Sequence, residues 1–87
     1  MSIINVMEAF VTERIEAMLE NENCCKCDRC FDDMKAIALN KLPAKYVSSH
    51  NGELFSKLDA SIRQNAVDIN IAVTAAIDAV SKRPSHE

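Results

Sequence analysis

The sequence predicts a small, mainly all-α domain. Only one of its 87 residues is glycine and two are proline, whereas 48% are hydrophobic. In three segments, apolar residues recur at spacings of three and four, which is typical of amphipathic helices. A chain of this length supports one hydrophobic core, so we expect residues 1–87 to form a single domain.

The first two helices follow from this spacing. An apolar stripe formed by Ile4, Met7, Val11, Ile15 and Met18 predicts a helix from about Ile3 to Leu19. A second helix is expected to begin at Cys30 or Phe31 and to end before Pro43, because proline cannot continue a helix. A cysteine-rich loop therefore connects the two helices.

The segment 46–55 is predicted to form a short hairpin. Asn51-Gly52 is a strong turn dipeptide, and the flanking residues Tyr46–Ser49 and Glu53–Phe55 are candidate strands. The apolar residues from Leu54 to Leu58 are also compatible with a helical turn, so both alternatives stay open.

A long C-terminal helix, Ser61–Val80, is predicted to lie at a dimer interface. Its main apolar stripe consists of Ile62, Ala66, Ile69, Val73, Ile77 and Val80. A weaker stripe of Val67, Ile71 and Ala75 lies nearly opposite. Since a surface helix needs only one apolar face, the second face predicts a homodimer. The alternative is that the chain itself covers both sides of the helix.

All four cysteines lie within the eight residues Asn23–Cys30. A disulfide between such near neighbours is strained, and a redox C-x-x-C motif normally lies in a βαβ unit, which this sequence does not predict. A zinc site is favoured, because the start of a helix stabilises thiolates and zinc prefers cysteine and histidine. Adjacent Cys24 and Cys25 point in different directions, so three sulfur ligands are expected. His86 is a candidate fourth ligand and His50 a less favoured one.

Several function classes are disfavoured by the remaining features. The net charge of −3 does not favour binding to a nucleic-acid backbone. No signal peptide or membrane-spanning segment is evident, so we expect a cytoplasmic protein that does not bind membranes. The sequence contains no Ser/His/Asp set, Gly-rich phosphate loop or H-E-x-x-H motif, and we expect no enzymatic activity.

The whole pattern resembles the late competence development family, ComFB. The resemblance is carried by "NVME" at residues 5–8, "CKCDRC" at 25–30, "AIALNKLPAKYV" at 36–47, and Asp33 and Gly52. It implies an all-α dimer with zinc held by Cys25, Cys27 and Cys30. Cys24 is additional to the family pattern. The pattern matches three cysteines, so the fourth ligand is expected to be His86 or Cys24.

The same resemblance implies a regulatory function linked to competence or motility. Some members of the family are receptors for cyclic dinucleotides, notably cyclic di-GMP. Arginine and lysine pair with phosphates, and guanidinium planes stack on purines. The candidate ligand-binding residues are Arg29, Lys41, Lys45, Tyr46, Lys57 and Arg63. Two alternatives remain: an adaptor that binds only a partner protein, and a thiol redox protein.

Overall fold

A computed structural model describes residues 3–20, 26–48 and 50–82 and has a mainly helical fold, which confirms the predicted fold class. Four helices and a sheet of two short strands make up this part of the chain. In chain order the elements are β1 (Ile3–Asn5), α1 (Met7–Leu19), α2 (Asp28–Asn40), β2 (Tyr46–Ser48), α3 (Gly52–Gln64) and α4 (Val67–Lys82).

The core lies between α1, α2 and α4. Helices α2 and α4 share the largest interface, and α1 contacts both of them. Ile15 of α1, Met34 of α2 and Val73 of α4 are completely buried at its centre. The apolar spacing in the sequence explains this arrangement, because residues three and four apart lie on the same side of a helix. In contrast, α3 buries only Ile62.

The first described element is a strand, so the prediction that the first helix starts at Ile3 is wrong. Residues Ile3–Asn5 form β1, and α1 starts at Met7. Strand β1 pairs antiparallel with β2, with Ile4 opposite Val47. The β-branched side chains of Ile3 and Ile4 favour an extended strand. Ile4 is spaced like a helical residue, which concealed the strand in the sequence.

The predicted hairpin around Asn51-Gly52 is also wrong. Residues 46–48 do form a strand, but its partner is β1, and the residues after Gly52 belong to α3. The Asn51 side chain accepts a hydrogen bond from the Leu54 N–H at 3.0 Å and so caps α3. Asparagine is favoured at helix N-caps as well as in turns, so the dipeptide alone did not distinguish the two. The helical alternative was correct.

The predicted helix Ser61–Val80 is divided into two. Helix α3 ends at Gln64, and α4 begins at Val67 after a turn. Asn65 ends α3, because its backbone N–H donates to Ile62 O and its side-chain amide donates to Ser61 O, both at 3.1 Å. These bonds satisfy carbonyls at the helix end. The apolar stripe continues across the turn, so its periodicity did not show the break.

Asn5 joins the sheet to the start of α1. Its side-chain oxygen accepts hydrogen bonds from the Met7 N–H at 3.2 Å and the Lys45 N–H at 2.9 Å. The neighbouring Val6 N–H donates to Lys45 O at 2.8 Å. One side chain therefore satisfies a donor in the first turn of α1 and another at the entry to β2.

Replacing Asn5 with alanine is expected to lower the free energy of unfolding by about 1–2 kcal/mol, because two backbone donors lose their acceptor. Asn5→Asp retains an acceptor oxygen at the helix start and should restore most of the loss. The measurement is urea unfolding followed by circular dichroism. Asn40→Ala, at the exposed end of α2, is the matched control. An equal loss in both alanine variants would contradict the role assigned to Asn5.

Candidate functional site

The described part of the molecule has two ends, separated by the length of α1 and α2. Each of these helices has 13 residues and is therefore about 20 Å long. Strand β1 leads into α1, and β2 follows α2, so the sheet lies where α1 begins and α2 ends. We call this the sheet end. The opposite end, where α1 ends and α2 begins, is the cysteine end.

The cysteine end carries two of the predicted zinc ligands at the start of α2. Cys27 is the N-cap residue, in an extended conformation, and Cys30 lies three residues further on. Cys27 is partly buried and Cys30 completely buried. Residues three apart are neighbours on one side of a helix, so both sulfurs belong to the same turn. Cys24 and Cys25 lie outside the described residues.

The two histidines differ in their relation to the cysteine end. His50 follows β2 and donates its backbone N–H to the Ser48 hydroxyl at 3.2 Å, so it lies at the sheet end. Helix α4 instead approaches the cysteine end, because Thr74 Oγ1 is 4.0 Å from Met18 Sδ near the end of α1. His86 is outside the described residues, four positions after the last residue of α4. The structure therefore places His50 at the end opposite Cys27 and Cys30.

The residues predicted to bind a nucleotide do not converge on one place in the protomer. Arg29 lies in the first turn of α2, whereas Lys41 follows its last residue, about 18 Å away along the axis. Lys45 and Tyr46 lie at the sheet end. Lys57 is on α3, where it lies 4.0 Å from Glu53 in an exposed ion pair. These side chains are thus spread over both ends of the described structure and over α3.

Arg63 connects α3 to α1. Its Nε lies 3.2 Å from an oxygen of Asp59, and its Nη1 lies 3.5 Å from Glu13. The guanidinium carbon lies 4.9 Å from the centre of the Phe10 ring, within the range of a cation–π interaction. Arg63 thus has a structural role in the protomer in addition to its predicted role in binding.

A cavity of about 380 Å³ lies beside Arg63, between α1, the end of α3 and the start of α4. Arg14 and Asn70 line it together with Arg63 and the Phe10 ring. The cavity therefore combines two guanidinium groups, an amide, an aromatic ring and the carboxylate of Glu13. The sequence pattern identified neither Arg14 nor Asn70 as a candidate binding residue. No pattern in the sequence indicates that these two residues meet across separate helices.

The two faces of α4 have different environments. The first face is buried in the core and includes Ile69, Val73 and Val80. On the opposite face, Val67 and Ile71 are 66% and 63% exposed. The structure thus shows two apolar faces on α4, one buried within the chain and one exposed. In the described part of the chain, no helix is long and apolar enough to cross a membrane.

Comparisons with known proteins agree with this architecture. The model of the family described as late competence development protein ComFB matches residues 4–84. The solved structure of the late competence protein ComFB from Bacillus subtilis is similar to this chain, with a TM-score of 0.78. The match covers 98% of this chain and 97% of that one at 22% sequence identity, so it shows a shared fold. A comparison with curated protein sequences gives no match.

Proposed function

Since this chain belongs to the late competence development protein family ComFB, we propose that it is a small regulatory protein of competence or motility. In this proposal it is cytoplasmic, forms a homodimer stabilised by zinc, and binds a cyclic dinucleotide. Cyclic di-GMP is the ligand that we propose first. The family is described by its part in competence development and not by a reaction, and we propose no enzymatic activity.

The exposed face of α4 is the observation that carries the proposal. Val67 and Ile71 lie one turn apart on it, and Ala75 continues the stripe. Large apolar side chains that are two-thirds exposed gain free energy when a matching surface covers them. A second copy offers the same stripe, and two-fold symmetry lets one α4 helix lie against the other.

The dimer proposal predicts that Ile71→Asp yields a folded monomer. Ile71 is exposed in the protomer, so the charge leaves the core intact but becomes buried and unpaired at the interface, at a cost of several kcal/mol. Sedimentation gives the oligomeric state, and circular dichroism checks the fold. Ala60→Asp, at an exposed position of α3, should remain dimeric. A wild-type protein that is monomeric at micromolar concentration would contradict the proposal.

The start of α2 supports the zinc proposal. Cys27 and Cys30 present two sulfurs in one helical turn, and thiolates are preferred zinc ligands. The partial positive charge at a helix N-terminus also favours the thiolate form that binds metal. Cys25 would be the third ligand, with His86 or Cys24 as the fourth. A bound zinc would tie the loop between α1 and α2 to the start of α2, and so contribute to folding.

We expect one zinc per chain, and we expect Cys27→Ser to lose it. Structural zinc sites contribute roughly 10 kcal/mol, so the variant should unfold at a lower temperature, and a chelator should affect only the wild type. Elemental analysis and thermal unfolding are the measurements. The fourth ligand is identified by comparing His86→Ala with Cys24→Ser, because only the variant that removes a ligand should bind zinc more weakly. His50→Ala is the control. Stoichiometric zinc in a Cys25→Ser/Cys27→Ser variant would show that the metal lies elsewhere.

The surroundings of Arg63 support the receptor part of the proposal. Its guanidinium group lies against an aromatic ring and borders a cavity that Arg14 also lines. Guanidinium groups pair with phosphates and stack on bases, so a dinucleotide can use both properties. Arg29 and Lys41 lie at opposite ends of α2, and a site formed by two protomers is one way to use both. The ligand site is therefore proposed to form between subunits.

If cyclic di-GMP binds in this way, Arg63→Ala and Arg29→Ala should each weaken binding about tenfold or more, because a charge-assisted contact is lost. Lys82→Ala, which removes an exposed ion pair with Asp78 on α4, should leave binding unchanged. Titration calorimetry measures affinity, and thermal unfolding checks that Arg63→Ala still folds. The absence of measurable heat with cyclic di-GMP and cyclic di-AMP would exclude the receptor function.

The second candidate is an adaptor that binds a partner protein without a small ligand. It is favoured by a groove at the sheet end, which carries more negative than positive side chains and so disfavours an anionic nucleotide. The thiol redox alternative would use Cys27 and Cys30 without metal, and a protein purified without zinc would favour it.

A further inference from the structure

A groove of about 690 Å³ at the sheet end concentrates exposed apolar side chains. Ile3 and Ile4 of β1, Tyr46 of β2 and Phe55 of α3 all line it. Ile3 is 69% exposed and Tyr46 is 64% exposed, although both side chains are large. Exposed apolar groups that share one groove mark an interaction surface more strongly than the same groups scattered singly.

One wall of the groove is a negatively charged side of α1. Glu8, Glu13 and Glu16 line it, whereas Lys35 is the one basic residue in the described lining. The charge of Glu13 is compensated by Arg63, whose Nη1 lies 3.5 Å from Glu13 Oε1. Within the described residues Glu8 and Glu16 form no ion pair, and they lie eight residues apart, or about 12 Å along the helix.

We propose that this groove is the docking site for an amphipathic, basic segment of a partner protein. Apolar side chains of the segment contact Ile3, Tyr46 and Phe55. Its lysine or arginine residues pair with Glu8 and Glu16. Complementary charge of this kind speeds association and selects the partner. The inference requires neither the zinc, the dimer nor the nucleotide of the proposed function.

The negative charge of the groove favours a basic segment over two other occupants, a second copy of the chain and a nucleotide. A second copy of the chain, docked by the same groove, would bring its own Glu8 and Glu16 towards those of the first, and like charges at an interface are unfavourable. A nucleotide phosphate would meet the same repulsion. A cationic segment is the occupant for which both the apolar floor and the charged wall are favourable.

The test uses a fluorescent 14-residue peptide of leucine and lysine with one apolar and one cationic face, and fluorescence anisotropy as the readout. Wild-type protein should bind it, and a peptide with glutamate in place of lysine should not bind. Glu8→Gln/Glu16→Gln should weaken binding about fivefold or more, because two charge pairs are lost. Glu20→Gln/Asp32→Asn changes the net charge equally outside the groove and should have less than a twofold effect.

The apolar floor is tested with Ile3→Ser/Tyr46→Ser, which should also weaken peptide binding while circular dichroism shows an intact helical fold. Amide chemical shifts of the labelled wild type should change along β1 and the groove side of α1. Equal weakening by both charge variants, or no binding of the lysine peptide, would overturn the proposal. Conversion of a wild-type dimer to monomer by Ile3→Ser/Tyr46→Ser would instead make the groove a self-interface and would also overturn it.

Discussion

Burial of one face of α4 against α2 and α1 is the interaction on which the rest of the fold depends. Val73 is completely buried, and Ile69 and Val80 are nearly so. Because α4 occupies the core in this way, its opposite face is directed outward, and Val67 and Ile71 remain in solvent. The same packing brings Thr74, in the middle of α4, beside Met18 near the cysteine end. The proposed dimer surface and the position of α4 beside the end of α1 are thus two results of one buried face.

The fold could be predicted from the sequence where it depends on local periodicity. The spacing of apolar residues correctly indicated the body of α1 and α2, and it identified two apolar faces in the last helical segment. Prediction failed where a long-range or single-residue interaction decides the structure. Nothing near Tyr46 indicates that its strand pairs with residues at the start of the chain. Likewise, the hydrogen bonds by which Asn65 ends α3 interrupt a helix without interrupting its apolar stripe.

The candidate site shows the same difference between local features, which could be predicted, and long-range features, which could not. Clustering of cysteines within a few residues is a local signal, and the structure places Cys27 and Cys30 in a single turn at the start of α2. The predicted nucleotide-binding residues were chosen by type alone, and they are spread from one end of α2 to the other. Arg14 and the groove beside the sheet were missed, because both arise from separate elements that meet only in the folded chain. The sequence indicated the chemistry of the side chains, but it did not indicate which of them lie close together in the folded chain.

The pairing of β1 with β2 has a consequence for the order of folding. Ile3 lies opposite Ser48, so the sheet closes a loop of more than 40 residues that contains α1 and α2. For a flexible chain such closure costs roughly 3 kcal/mol in entropy, plus a constant. Prior formation of the antiparallel α1–α2 pair brings the two strands together and removes most of this cost. The sheet is therefore expected to form after the helix pair, and during synthesis Ile3 and Ile4 remain without a strand partner until β2 has emerged.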